Sequence, residues 1–366
     1  MNPSFSNPSD KNGVFKFTLS NIDVSLANAL RRTVLNDIPT AAFDSEMYEN
    51  GKCQIHANTT RFHNEIVKHR LANIPIHSKD LKFLEKHIME LSMENTGETT
   101  VIVTTSDFKI KEKESGEYLP EAKVREIFPK DEITQDYIDF IRLRPKIGDS
   151  IPGERIHLTN EFSFKTANDS STFTCVSKCA YGNTPDMEKV NSVWEKLEEN
   201  LRSESLSSED IKFEKRNFEL LDAQRQFVDN SFDFAIQSVG VYENREIMRM
   251  ACKILHNKLV ALIQSVDDDV VQISLSETTM ENNYDIILEN EDYTIGKVLE
   301  YLLYEQYYQD EKVLNFCGFR KLHPHDSESR IRVGYISKTD KNLIRQHLRI
   351  VCIKAQEIFE QVKKMF

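Results

Sequence analysis

Glycine is scarce in this chain, 11 among 366 residues. No glycine-rich loop is available to cradle a phosphate, and no GxSxG nucleophile turn or cysteine–histidine protease signature occurs. The six cysteines, Cys53, Cys175, Cys179, Cys252, Cys317 and Cys352, are scattered and make no CxxC pair. Cys175 and Cys179 lie in a β-type stretch where their spacing only puts both on one face. No second Cys or His pair sits nearby to complete a zinc site. His56, His63 and His69 lack an HExxH spacing, and His323-Pro324-His325 reads as a loop between two strands. Basic charge is also short: 47 Lys and Arg face 59 Asp and Glu, a net charge of -12. That argues against broad, sequence-independent nucleic-acid binding and leaves room for a local basic patch. No apolar run is long enough to span a bilayer, and the opening MNPSFSNPSDKNG is polar, unlike a signal peptide. Reduced thiols inside a cell are the expectation.

What is present is a hydrophobic fraction of 39% and a charged fraction of 29%, enough for two or three globular units. The most informative stretch is Ser25-Leu26-Ala27-Asn28-Ala29-Leu30-Arg31-Arg32, which follows the alternating Phe15-Lys16-Phe17-Thr18-Leu19 and ends before Pro39. Helical spacing puts Leu26, Ala27, Leu30 and Val34 on one side, and Asn28, Arg32 and Asn36 in a line on the other. Ser25 is the candidate N-cap. Pattern alone is equally that of an ordinary amphipathic surface helix. A second helix, from about Thr60 to Leu71 and closed by Pro75, carries Phe62, Ile66, Val67, Leu71 and Ile74 as a stripe with Arg70 near its middle. Such an arginine either snorkels at a helix end or is anchored across a domain or subunit interface.

From about 80 to 225 short β-type runs alternate with charged loops, which reads as an insertion with its own small core. Residues 186 to 216 are strongly charged, with Trp194 and Leu197 as the apolar anchors, and read as an exposed helix and loop. A strand returns at Phe232–Ile236, followed by a helix over about 244 to 266. Asp267-Asp268-Asp269 suggests a two-metal site by composition only and reads as a solvated break. The final unit reads as a strand near 284 to 289, a helix over 295 to 308, two more strands, and a helix over about 341 to 363 capped by Thr339 or Asp340.

This final unit echoes the first. At an offset of 269, Phe17 to Asn21 align with Ile286 to Asn290, then Asp23 with Asp292, Ser25 with Thr294, Leu26 with Ile295, Ala27 with Gly296 and Leu30 with Leu299. At an offset of 96 the closing helices align: Ile247 with Leu343, Ile254 with Ile350, Leu255 with Val351, Lys258 with Lys354 and Leu262 with Ile358. Two similar units in one chain suggest a pseudo-two-fold pair.

Ser25 to Arg32 resembles the first-helix motif of the alpha-like subunits of multisubunit RNA polymerases: bacterial alpha, the archaeal D subunit and the third subunit of eukaryotic RNA polymerase II. His63-Asn64-Glu65-Ile66 and His69-Arg70-Leu71-Ala72-Asn73-Ile74-Pro75-Ile76 are similar to that family's second signature. Glu291 to Leu299, supported by Gly318-Phe319 and His323-Pro324, resembles the smaller partner, archaeal L or the eleventh subunit of polymerase II. Both partners in one chain resemble the fused subunit of large cytoplasmic DNA viruses. Tyr293 departs from the histidine usual in the small partner, the cysteine cluster that binds zinc or iron–sulfur in many relatives is missing, and 186 to 216 has no counterpart.

The resemblance implies an α+β fold: an alpha-like dimerisation domain (14–45 and 228–266) interrupted by an insert (46–227), after a flexible tail (1–13). An acidic linker (267–282) then leads to a smaller alpha-like unit (283–366) that closes an intrachain pseudo-dimer. It implies a non-catalytic assembly subunit, with Asn28, Arg31, Arg32, His69 and Arg70 gripping a large subunit. Leu26, Leu30, Val34, Ile254, Leu255, Leu262, Ile295, Leu299, Leu302, Ile350, Val351 and Ile358 would form the internal pairing. The implied partners are the largest and second-largest polymerase subunits and small assembly subunits. DNA is met only through the complex, with no membrane and no homodimer. No catalytic residue, cofactor or metal is expected. The implied place is the host cytoplasm and the virion, or the nucleus if the chain is cellular. The rival readings are a free-standing regulator that binds a polymerase subunit, and an enzyme with a site in the insert.

Overall fold

The computed structural model describes residues 1–44, 52–148, 150–204, 206–276 and 281–366. In chain order the first elements are β1 (Ser4–Lys11), β2 (Val14–Ser20), α1 (Val24–Asn36), β3 (Thr40–Phe43), β4 (Cys53–Asn58), α2 (Asn64–Ala72), α3 (Leu81–Lys86) and β5 (His87–Glu94). Next come β6 (Val101–Thr104), β7 (Lys109–Glu112), α4 (Glu121–Ile127), β8 (Asp139–Leu143), β9 (Arg155–Lys165) and β10 (Val176–Pro185). The helical hairpin α5 (Met187–Ser203) and α6 (Ser208–Leu220) leads to β11 (Phe227–Ser238) and α7 (Asn244–Asp267). The chain ends with β12 (Ile273–Leu275), β13 (Asn283–Glu289), α8 (Tyr293–Leu303), β14 (Leu314–Arg320), β15 (Glu328–Tyr335) and α9 (Lys341–Lys363). The architecture is thus mixed α and β.

The chain divides into two units. One comprises Met1–Val34, Lys178–Gln237 and Asn244–Phe366; the other comprises Leu35–Ser177 and Ser238–Glu243. The first unit holds two four-stranded sheets, ordered β1-β2-β11-β10 and β12-β13-β15-β14. In the former, Phe17 is paired with Phe234, and their rings stack at 5.1 Å with planes only 2° apart. In the latter, Ile286 is paired with Ile331. The second unit is built on the sheet β3-β9-β5-β7, with β4 also on β9, and on the pair β6-β8. Its core runs from Phe43, Val67 and Leu71 through Leu91, Ile110 and Phe140 to Leu158.

Several boundaries read from the sequence are corrected. Residues 4 to 11 are no flexible tail but a strand, turned onto β2 by Asn12 and Gly13, both left-handed (φ 53° and 74°). This is the backbone that a two-residue hairpin requires and that Asn-Gly favours. Polar composition hid the strand because only one of its side chains, Phe5, is a large apolar group, stacked on Phe17 at 5.5 Å. The insert does not run to 227: β10 joins the sheet of β2 and β11, so residues 178 to 237 belong with the first unit. The expected boundary at 45/46 and residues 277–280 of the expected linker lie outside the described residues. The linker's other residues are structured. Asp267 closes α7, residues 273–275 are a strand on β13, and Asp267 and Asp269 bind Arg349 and Arg345 of α9 at 2.8 and 3.0 Å. Helices α5 and α6 share a small core of Val190, Trp194 and Phe218 with Ala223, just beyond α6. The helix expected over 295 to 308 is α8 only to Leu303, after which the chain widens into a π-turn over Tyr304–Asp310.

Candidate assembly interface

Within the first unit the repeat read from the sequence has a local geometry at each copy. β2 is followed by Asn21 and β13 by Asn290, which carry φ of 59° and 56°. Asparagine tolerates this left-handed conformation better than most residues, and here it turns each strand into its helix. The next conserved feature between the copies is the cap. Asp23 accepts the Ser25 amide at 2.7 Å, and Asp292 accepts the Thr294 amide at 2.8 Å. The first helical bonds, Ala27 N–H to Asp23 O and Gly296 N–H to Asp292 O, also correspond. Aspartate therefore caps both helices, where Ser25 had been the expected cap of the first. The long helix α9 is capped by Asp340, which accepts from Leu343 at 2.9 Å.

Side-chain burial follows the same register. Leu26, Leu30 and Val34 on α1 are 1% exposed, and Ile295, Leu299 and Leu302 on α8 are no more than that. Met248, Ala251, Cys252, Leu255, Leu259 and Val266 on α7 are buried, as are Ile344, His347, Leu348, Val351, Ala355 and Val362, the residues 96 further on. Helices α7 and α9 pack on each other. They run antiparallel: Arg249 near the start of α7 donates to the backbone oxygen of Phe366 at 2.6 Å, whereas Asp267 at its end meets Arg349 near the start of α9. The Phe366 ring in turn lies edge-on to Phe5 and Phe17 at 5.2 and 4.9 Å. Among the residues expected at this packing, Ile358 is buried, Ile254 and Leu262 are half-buried, and Ile350 is 37% exposed. The correction for Ile350 is one of phase: residues 347, 348, 351 and 352 fill the buried arc, and 350 falls beyond it.

Gly296 stands where the first copy has Ala27. A Cβ there would come within 2.0 Å of the Phe319 ring. Gly296→Ala is therefore expected to lower stability by about 1–3 kcal/mol through overpacking. Thermal unfolding checks this, and Phe319→Leu should recover part of the loss.

The outward polar line expected on α1 is corrected at Arg32. Its guanidinium donates to Asp292 at 2.5 Å and to the Thr294 hydroxyl at 3.0 Å, tying α1 to the cap of α8. The sequence pattern placed Arg32 opposite the apolar stripe but could not show that a second cap stands on that side. Burial pushes the Asp292 carboxyl up, yet Thr294 and Arg32 outweigh it and hold the group below the usual carboxylate range. Arg32→Glu should thus cost about 1–2 kcal/mol, a lost ion pair plus two facing carboxylates, where the face-of-helix argument alone would leave folding untouched. Unfolding of the single variant against Arg32→Glu paired with Asp292→Arg tests the contact, because only a direct pair is rescued by the swap.

Arg31 donates twice to Asn28 along its own helix, at 3.0 and 2.9 Å. The equivalent residues of α8, Glu300 and Lys297, form an ion pair of the same spacing. In the second unit Arg70 donates to the backbone oxygens of Phe140 and Asp139 at 2.6 and 3.0 Å and lies 5.9 Å from the Phe62 ring. It thus uses carbonyls of β8 within its own unit. His69 is exposed. On α2 the stripe is Val67 and Leu71, while Ile66 is 41% exposed. Among the described residues no three His, Cys, Asp or Glu side chains converge as metal ligands. None of the described helices is long and apolar enough to cross a membrane.

Each copy thus combines a strand, an aspartate-capped helix, an antiparallel strand and a long closing helix. The profile of the RNA polymerase Rpb3/Rpb11 dimerisation domain matches residues 16–259, and the chain belongs to that family. Over 106 residues it is 38% identical to DNA-directed RNA polymerase subunit Rpo3 of Pyrococcus furiosus, covering 27% of this chain and 37% of that protein. Over 289 residues it is 25% identical to DNA-directed RNA polymerase II subunit RPB3 of Schizosaccharomyces pombe, covering 75% of this chain and 90% of that one. With Rpo3 of Methanocaldococcus jannaschii it shares 23% identity over 67% of this chain and 86% of the relative. Against the Rpo3 proteins of Pyrococcus and Thermococcus the chain spans about a third of their length.

Proposed function

We propose that this chain is a non-catalytic assembly subunit of a multisubunit DNA-directed RNA polymerase. The observation that carries the proposal is the family match over residues 16–259. In this reading the first copy of the repeat is the Rpb3- or Rpo3-like part. The second copy, Asn283 to Phe366, is its smaller partner, so that one chain holds both members of the pair. The shared Asn turns, Asp caps and burial phase support that reading, as does the antiparallel packing of α7 on α9. The apolar faces of α1 and α8, with the closing helices, form the internal pseudo-dimer, and no second copy of the chain is needed.

The partners are the largest and second-largest polymerase subunits, in which the chemistry of RNA synthesis resides, together with small assembly subunits. DNA is contacted only through the complex. Asn28 and Arg31 on α1, and His69 and Arg70 on α2, are the proposed grips on a large subunit. Both partners fused in one chain also fit the polymerases of large cytoplasmic DNA viruses, with the host cytoplasm and the virion as the places to find it. Co-purification tests the assembly role. A tagged chain that brings down the two large polymerase subunits in equal amounts supports it. A chain that stays alone, or that holds one large subunit in an inactive complex, acts instead as a free-standing regulator.

A further inference from the structure

The two helix caps are alike in sequence and geometry, but only one of them is filled. At the second cap, Arg32 satisfies the Asp292 carboxylate and the Thr294 hydroxyl. The same acceptors recur 269 residues earlier as Asp23 and Ser25, and the residue in the place of Arg32 is Tyr301. In a two-fold pair, a contact from residue i to residue j is repeated from j to i, and here the repeat is broken. Tyr301 turns its hydroxyl to Glu305 at 3.2 Å. The Ser25 hydroxyl is left buried with no hydrogen-bond partner, an uncommon state for a native polar group. No cation pairs with Asp23 among the described residues.

In front of this cap lies a cavity of about 450 Å³, walled by Asp23, Ser25, Tyr181, Tyr301, Tyr304 and Glu300, among others. Lys297 also lines it, but its ammonium is paired with Glu300. The walls therefore combine a carboxylate, an unsatisfied hydroxyl and three tyrosine rings. A planar guanidinium can donate to both oxygens while its faces lie on the rings.

We propose that the cavity between α1 and α8 binds an arginine side chain supplied by a partner polypeptide, which completes the contact that Arg32 makes at the other cap. This rests on reading the chain as an assembly subunit. It places the partner's arginine beside Asn28, which lines the same cavity.

The purified full-length chain can be titrated with N-acetyl-arginine amide, followed by nuclear magnetic resonance, beside the amides of lysine and glutamine. The arginine amide should saturate and bind at least tenfold more tightly than either. Asp23→Asn, which keeps a capping side chain but removes the charge, should weaken it at least tenfold. Tyr301→Arg should fill the cavity from within, abolish binding and raise the melting temperature by about 2–4 °C. Equal affinity for the lysine or glutamine amide overturns the assignment, as does an Asp23→Asn variant that binds like the wild type. A second arm uses co-purification at raised salt. If the wild type retains the large polymerase subunits, Asp23→Asn and Tyr301→Arg should retain several-fold less, and equal retention overturns the partner's arginine. If the wild type retains none, the assembly reading fails, while the titration still decides whether the cavity holds a guanidinium.

Discussion

Leu30→Asp should abolish the cooperative unfolding of the first unit, and Leu299→Asp should do the same. Both side chains are fully buried, at 1% and 0% exposed, on the two helices of the repeat. An aspartate in either place brings a carboxylate out of water with no partner, and the loss of leucine packing is added to it. Each effect is worth several kcal/mol, against a total stability of about 5–15 kcal/mol for an ordinary domain. The pair of variants also tests whether the two copies form one folding unit. If α1 and α8 share a core as halves of a pseudo-dimer, either substitution removes a single common transition and the chain becomes insoluble. If the halves are independent, Leu299→Asp leaves the transition of residues around β2 and β11 in place. Far-ultraviolet circular dichroism with limited proteolysis reads the difference, and an unchanged melting temperature for Leu30→Asp would sink the internal pairing.

The repeat could be read from the sequence because strand alternation, cap and helical stripe are all local patterns, and local patterns survive divergence to a weak residue match. Asp23 with Asp292 and Leu30 with Leu299 are such cases. What the sequence could not give is where a polar face points once a second copy is packed nearby. Arg32 looked outward by helical phase, and it is the second cap, 260 residues away, that makes it an inward contact. The insert's end was misplaced for a related reason. β10 reads as one more β-type run of the insert, and only its pairing with β11 brings it into the first unit. Arg70 was closer to legible. A guanidinium on an apolar stripe needs a carboxylate or carbonyls to accept from it, and only the tertiary fold selects the carbonyls of β8. The vacant counterpart of the Arg32 contact was also within reach of the sequence, since the same offset pairs Arg32 with Tyr301. Its meaning depends on seeing the Ser25 hydroxyl buried without a partner.

The second unit should be acid-sensitive through one carboxylate, Glu90 on β5. Its side chain is 14% exposed and accepts from Lys111 at 2.7 Å and Tyr118 at 2.7 Å, with the His157 ring nitrogen at 3.2 Å. The Lys111 hydrogen bond is the largest influence. It outweighs burial and, with Tyr118 and His157, brings the Glu90 carboxyl down from 4.5 to about 2. Their hydrogen bonds to Glu90 in turn push Lys111 and Tyr118 up. A carboxyl that is more acidic folded than unfolded adds stability above its ordinary value, and that stability is lost as pH falls from about 4.5 to about 2. At neutral pH the contribution is about 3 kcal/mol. Glu90→Gln should therefore be less stable than wild type by about 2–3 kcal/mol at pH 7, because it also leaves Lys111 without its carboxylate. The gap should close as the pH is lowered through that window, since the wild type protonates there and the variant has nothing to protonate at this site. Urea unfolding of both proteins at stepped pH measures the gap directly and cancels the other carboxylates, which titrate alike in the two. A gap that stays constant from pH 7 to pH 3 would mean that Glu90 is not the acid-sensitive group, and that its network holds the sheet by geometry without a linked proton.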